Sequence, residues 1–347
     1  MYVNVVLLFG GDGAEYEISL RSAAAVLPHL SSRHTVRTVG IDRTGAWLLT
    51  ATSPKAIAAD AWQEGGIPVT PHFGDHALLA GGAPIPCDVI FPLLHGGLGE
   101  GGGVAALLSL LSIPYVGCPP TAGMLGMDKR LAKRLAADAG IRVAAYRTVG
   151  RDELADPTLK GALGDALGYP MFVKPTSGGS SVGAARVDTE EGLLPALDSA
   201  LLHSDTALCE EYIAGAEVEL AILEREDGLF GTLVGEIDPG APFYDYDAKY
   251  RDRSSRLFIP ARISSAARRE VAEAGHTLFR LFGCRGLARV DFFVRDGEVI
   301  FNEINTMPGF TDISMYPRLL AAAGFPIGEV LDTLLVGAYR HARDRGL

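Results

Sequence analysis

Arg289, Asp291, Glu303 and Asn305 lie in two short apolar runs, ARVDFF and FNEINTMPGF, separated by Asp296-Gly297. Asp-Gly is a strong two-residue turn pair, so the runs are expected to form a β-hairpin. Glu303 and Asn305 are two apart and share one strand face; hard oxygen donors converging there suit Mg²⁺ bound with nucleotide phosphates. Asp291 joins them only if it shares that face. A plain two-residue loop would oppose it to Asn302 and turn it away from Glu303, whereas a three-residue loop or a bulge would oppose it to Glu303. An odd loop or a bulge is therefore expected. Solvated acids on an edge hairpin are the ordinary case. Here Val290, Phe292, Phe293, Ile300, Phe301 and Ile304 surround the acids with large apolar side chains, where an unpaired carboxylate is costly and a metal relieves the cost.

Three further segments carry candidate chemistry. In Lys174-Pro-Thr-Ser-Gly-Gly-Ser-Ser-Val-Gly183, paired glycines let the backbone fold closely over a ligand. Ser180 and Ser181 offer hydroxyls, and Lys174 offers a point charge for a phosphate. A glycine-rich turn alone is as readily a plain hairpin. GGDGAEYEIS and HGGLGEGGG each follow an apolar strand, placing Glu15 to hold a substrate ammonium with His95 and Glu100 bracing it. Taken singly, Glu15 reads as a helix-start carboxylate and His95 as a satisfied strand-end histidine. YDYDAKYRDRSSR has no periodicity and reads as a long loop, either a lid in which Lys249 and Tyr250 reach phosphate and substrate or a solvated connection.

The elements that must position these residues alternate short apolar strands (3–9, 35–41, 89–94) with helical stretches (19–30, 104–111), which is α/β order and predicts an open, mostly parallel N-terminal sheet. Ligands in such sheets sit beyond the carboxyl ends of the strands, where both glycine loops fall. Pro119-Pro120 marks a boundary, after which MFVKPTSGGSSVGAARV reads as strand, loop, strand, unlike the strand-loop-helix of a Rossmann unit. With 347 residues and 48% hydrophobic content, the chain is long enough for two or three domains. A net charge of -11 argues against a nucleic-acid partner and for small molecules. Cys87, Cys118, Cys209 and Cys284 form no CxxC pair, so reduced thiols are expected. No apolar run reaches the roughly 18 residues of a membrane span, and a cytoplasmic location is expected without a membrane partner.

In order and spacing, LFGGDGAEYEISLRSA, PLLHGGLGE, IPYVGC, MDK, VKPTSGGSSVG, EEYIAGAEVE, FYDYDAKY, ARVDFF and NEINTMPGFTDISMYP closely resemble the D-alanine-D-alanine ligases of the ATP-grasp superfamily across essentially the whole chain. The resemblance implies three α/β domains, here 1–118, 119–208 and 209–347, with ATP between the second and third and two amino acids between the first and third. It places Lys129, Lys174, Glu210, Glu217 and Lys249 at the nucleotide, Phe243 near the adenine, and Asp291, Glu303 and Asn305 on two Mg²⁺ ions, with Mn²⁺ an alternative. Glu15 resembles the residue that holds the first D-alanine, and Ser180, Tyr250 and Glu15 a triad joining the serine loop to the lid. Arg289 and the Gly309 N–H resemble an oxyanion-stabilising pair, and Ser314 and Met315 the positions that take the second carboxylate. The resemblance further implies D-alanyl-D-alanine formation through an acyl phosphate, for peptidoglycan precursor synthesis, by a homodimer.

Relatives that make D-alanyl-D-lactate carry a histidine in the lid, and those that make D-alanyl-D-serine tend to have an arginine after the serine; Tyr250 and Met315 stand there in this chain. Two positions depart from the family pattern: GEDG is replaced by Gly99-Glu100-Gly101-Gly102, and Asp312 stands where a small or neutral residue is usual. A ligase for another second substrate and a non-catalytic ATP-binding protein are the alternatives. The oxyanion arginine speaks against the latter.

Overall fold

The computed structural model describes residues 2–179, 182–238 and 256–344. Its first sheet contains β1 (Asn4–Gly10), β2 (Thr35–Ile41), β3 (Trp47–Thr50), β4 (Ile67–His72), β5 (Ala77–Ala80), β6 (Ala83–Pro84) and β7 (Val89–Leu93), in the order β6-β5-β4-β3-β2-β1-β7. The α/β class is as expected, but the sheet is mixed rather than mostly parallel. β1 pairs in parallel with β2 and β7, and β2 to β6 form an antiparallel meander. Short connections between β2 and β3, β4 and β5, and β5 and β6 account for most of the difference, because only antiparallel neighbours can be joined by a tight turn. Gly81 and Gly82, both at positive φ (58° and 83°), turn β5 directly into β6. β1 lies between β2 and the edge strand β7, with Val5 to Phe9 fully buried.

A second sheet, of β8 (Tyr146–Gly150), β9 (Met171–Pro175), β10 (Ala185–Val187) and β11 (Thr206–Glu211), has the order β10-β9-β11-β8 and is antiparallel throughout. The third contains β12 (Ala216–Arg225), β13 (Gly228–Phe230), β14 (Val234–Asp238), β15 (Arg256–Phe258), β16 (Leu287–Arg295) and β17 (Glu298–Asn305). Its order is β15-β14-β12-β16-β17, with β13 on β12.

The alternation of the third sheet decides where a site can be. Val218, Leu220, Ile222, Val290 and Phe292 point to one face and share a core with Val271 and Leu278 of the Ser265–Leu281 helix. Ser264 caps that helix by accepting the Ala267 N–H at 3.1 Å. Phe292 and Phe301 meet edge to face at 6.0 Å, a geometry worth about 0.5–1.5 kcal/mol beyond the area it buries. Ala221, Leu223 and Leu287, on the other face, share a core with Val5, Leu7 and Phe9 of the first sheet and with Val330 and Leu334 of the Ile327–Asp344 helix. The polar residues of that second face, further along the strands, are thereby held opposite the loops of the first sheet. No single helix among the described residues is long and apolar enough to cross a membrane.

Candidate active site

The β16–β17 hairpin turns through Asp296 and Gly297, both at positive φ (54° and 87°), and pairs Arg295 with Glu298. Continued unchanged, that register would oppose Asp291 to Asn302. It shifts between Asp291 and Phe292 instead: Phe292 faces Phe301 while Asp291 faces Glu303. The expected bulge is present, and Asn302 is its extra residue. On the other side of β16, Glu219 opposes Asp291, so Glu219, Asp291 and Glu303 form a row across three strands, with Arg289 and Asn305 opposed one step away.

Directly opposed like charges repel, and the row is held by cations. Arg289 donates from Nε and Nη2 to Asp291 at 2.8 and 2.7 Å and reaches Glu219 at 3.1 Å. Burial works against its charge, but Asp291 and Glu219 outweigh burial and hold Arg289 well above the usual arginine value. Asn305 Nδ2 donates to Asp291 at 3.0 Å, and Lys129 Nζ lies 3.8 Å from Glu303. Among the described residues no three His, Cys, Asp or Glu side chains converge as a ready metal site; Asp291, Glu303 and the Asn305 amide put three oxygen-bearing side chains together on the paired strands. Such an all-oxygen set, in a row of three carboxylates, fits a hard divalent cation.

Two clefts meet here. One is lined by Glu15, His95, Arg289, Gly309, Ser314 and Met315, the other by Lys133, Phe172, Lys174, Glu210, Glu217 and Phe293; Lys129 and Glu303 line both. In the second cleft Glu210 receives Lys133 and Lys174, each at 2.6 Å. Burial alone would raise the Glu210 carboxyl; the two ammonium groups overcome it and hold the pKa at about 2. The bulge residue Asn302 accepts from Lys174 Nζ at 3.4 Å. Lys129 Nζ donates to the Gly178 carbonyl at 2.5 Å, tying the glycine-serine loop to Glu303.

In the first cleft Glu15 precedes the Tyr16–Ser31 helix, where the helix dipole favours a carboxylate. A β-carbon on Gly96 or Gly179 would come within 2.0 or 2.6 Å of Glu15 Oε2, so a side chain at either position would push that carboxylate aside. His95 and Glu100, expected to brace Glu15, are bonded to the backbone around Gly96 and Met307. His95 Nδ1 lies 2.9 Å from the Met307 carbonyl, and Glu100 accepts the N–H groups of Gly96 (3.1 Å) and Met307 (3.2 Å). Burial, and then repulsion from Glu15, raise Glu100 to about 7. Ser314 Oγ accepts the Thr311 N–H at 3.2 Å and lies 2.9 Å from where a Gly309 β-carbon would be. Ser180, Ser181, Phe243, Lys249 and Tyr250 lie outside the described residues.

The chain matches the family model for the D-ala D-ala ligase N-terminus over residues 4–118 and that for the C-terminus over 135–336. It is 42% identical over 347 residues to the D-alanine–D-alanine ligase of Chlorobium phaeovibrioides, covering 96% of each chain. To the D-alanine–D-alanine ligase A of Bradyrhizobium diazoefficiens it is 40% identical, over 99% of this chain and 96% of the relative. The chain belongs to the D-alanine–D-alanine ligase family. Among solved structures of the family's fold, the VanG D-Ala:D-Ser ligase of Enterococcus faecalis superposes with a TM-score of 0.88 at 34% identity (97% of this chain, 100% of that one). The D-alanine-D-alanine ligase of Coxiella burnetii gives 0.86 at 30% identity (99% and 96%). These ADP-forming ligases are ATP-dependent and generally use Mg²⁺.

Within this family member the Gly101 departure has a steric basis. A β-carbon there would stand 2.5 Å from the Gly97 carbonyl oxygen, so the loop as folded admits no side chain at that position. Asp312 is exposed, and its carbonyl accepts from Arg318 at 3.0 Å; nothing in the structure gives its carboxylate a role. Lys133 and Glu219 belong to the site but were not anticipated. Lys133 sits in KRLAKRLAAD, which reads as a solvated basic helix, yet its side chain is 1% exposed. Glu219 was legible in principle: it stands two residues after Glu217 and so shares its strand face.

Proposed function

We propose that the protein ligates two D-alanines into D-alanyl-D-alanine for a peptidoglycan precursor, acting in the cytoplasm as a homodimer divided at about 118/119 and 208/209. The observation that carries this reading is the meeting of the two clefts at Lys129 and Glu303, with the lysine cluster on one side and Arg289 and Gly309 on the other. Lys129, Lys174, Glu210 and Glu217 take the nucleotide. Asp291, Glu303 and Asn305 would hold two Mg²⁺ ions, with Mn²⁺ accepted, and the ions supply neutralising charge to the phosphates.

Glu15 holds the ammonium of the first D-alanine, whose carboxylate oxygen attacks the γ-phosphorus of ATP. The bond to the bridging oxygen breaks, ADP leaves, and an acyl phosphate results. Ser314 and Met315, at the start of the Met315–Ala322 helix, receive the second carboxylate at a dipole that favours an anion. The second amine, having lost a proton, attacks the acyl carbon, and phosphate departs as the peptide forms. Arg289 and the Gly309 N–H face the oxygen that gains negative charge, and their value lies in being oriented beforehand.

Met315 presents a thioether rather than a polar partner for a hydroxyl, which favours D-alanine over D-serine as second substrate. A panel of D-alanine, D-serine, D-lactate and L-alanine offered with ATP, Mg²⁺ and D-alanine tests this by product mass; D-alanyl-D-alanine should dominate, and a dominant D-serine or D-lactate product contradicts the reading. The depth of this subsite depends on Gly235, where a β-carbon would lie 2.5 Å from Met315 Sδ. In Gly235→Ala the flexible thioether must move, at the about 1–3 kcal/mol typical of overpacking. The KM for the second D-alanine should rise about tenfold or more while the KM for ATP stays constant, and steady-state kinetics with each substrate varied in turn will show it.

A further inference from the structure

Ser19 and Ser22 are fully buried on the Tyr16–Ser31 helix, on the face that begins with Glu15, since residues 15, 19 and 22 follow helical spacing. Ser19 Oγ accepts the Gly10 N–H at 2.7 Å and donates to the Leu93 carbonyl, joining the ends of the two strands that carry the first-cleft loops. Ser22 Oγ accepts the Phe310 N–H at 3.2 Å and lies 2.9 Å from His95 Nε2. The protons in this chain can be assigned from their partners. The Met307 carbonyl can only accept, so His95 Nδ1 carries the hydrogen, and burial, the main influence on this ring, favours its neutral form. Nε2 is then an acceptor, and Ser22 O–H donates to it. The Met307 carbonyl and the Phe310 N–H are thus both fixed by a helix of the first sheet, and they bracket Pro308 and Gly309.

We infer that Ser22 is a positioning residue for the bond-forming step: through His95 and Phe310 it holds the Met307–Phe310 loop so that the Gly309 N–H points at the developing oxyanion. Ser22 touches no substrate. Its hydroxyl makes the first amino-acid subsite and the oxyanion donor one rigid unit, so the orientation of Gly309 is set by the same helix that begins at Glu15. This rests on the ligase reading above.

The experiment compares wild type, Ser22→Ala and Ser22→Thr for kcat, KM for ATP, melting temperature and inhibition by a phosphinate dipeptide that mimics the tetrahedral adduct. A displaced donor costs up to about 100-fold in rate. Ser22→Ala should lose about 10- to 100-fold in kcat. Inhibitor affinity should weaken by a similar factor while the KM for ATP stays near wild type, and the melting temperature should fall only modestly, as the buried His95 Nε2 and Phe310 N–H lose one partner. Ser22→Thr, which keeps the hydroxyl, should recover most of the rate. The inference is overturned if Ser22→Ala turns over within twofold of wild type, if its loss appears equally in the KM for ATP and in melting, or if folded Ser22→Thr is as slow as Ser22→Ala. A wild-type chain that makes no dipeptide would instead strike the ligase reading itself.

Discussion

Replacing Arg289 by alanine is expected to lower kcat by about 10²–10³-fold, the loss typical of removing one preorganised oxyanion donor. The side chain has two tasks. It faces the amino-acid cleft, and it is the cation between Glu219 and Asp291, which are 5% and 3% exposed. Its removal leaves two buried carboxylates side by side, and breaking such an arrangement costs about 3–5 kcal/mol of stability. Arg289→Ala should therefore be both slow and easily melted, whereas Arg289→Lys keeps a charge but loses the two-pronged contact with Asp291 and should be slow with a smaller loss in melting temperature. Turnover measured below the melting temperature of each variant separates the two effects. Wild-type rates in folded Arg289→Ala would refute the role given to this residue.

Glu210→Gln should be the other severe substitution. Glu210 is the carboxylate between Lys133 and Lys174, and its loss leaves two ammonium groups facing each other, one of them almost wholly buried. Stability should fall by about 3–5 kcal/mol. The KM for ATP should rise at least tenfold because Lys174 is no longer held toward the nucleotide. Adding Lys133→Met to Glu210→Gln removes one unmatched charge, so the double variant should be more stable than Glu210→Gln alone, a non-additivity that a double-mutant cycle measures directly.

The same group gives a pH signature. Its folded pKa, about 2, lies below the ordinary 4.5, so the stabilisation from the ionised carboxylate is complete above about pH 4.5 and is lost as pH falls toward 2. The shift corresponds to on the order of 3 kcal/mol. Denaturant midpoints of the wild type should drop across that window, and those of Glu210→Gln should drop less.

How much of the fold and site was legible depends on where the physical constraint lay. The demand that Asp291 and Glu303 share a face could be set against the two-residue turn at Asp296-Gly297, and the conflict itself foretold the bulge at Asn302. Helices with apolar periodicity and a cap were also legible, as in the Ser265–Leu281 helix behind Ser264. The meander was not. β4 is exposed at five of its six positions and β6 is two residues long, so neither carries an alternating pattern to read. Lys133 escaped for a different reason: the strand that delivers Glu210 to it is 77 residues away in sequence, and only the folded chain brings β11 against that helix. Ser22 stood in the apolar stripe of its helix, which could have marked it as a buried hydroxyl, but its partners His95 and Phe310 come from loops that follow strands of two different sheets.

If one chain couples ATP cleavage to the joining of two D-alanines, the coupling must show in the stoichiometry of the wild-type protein. Incubated with ATP, Mg²⁺ and D-alanine, it should release one ADP and one phosphate for each D-alanyl-D-alanine detected by mass, with ADP release dependent on D-alanine. ADP release that ignores D-alanine, or that proceeds without dipeptide, would overturn the ligase reading.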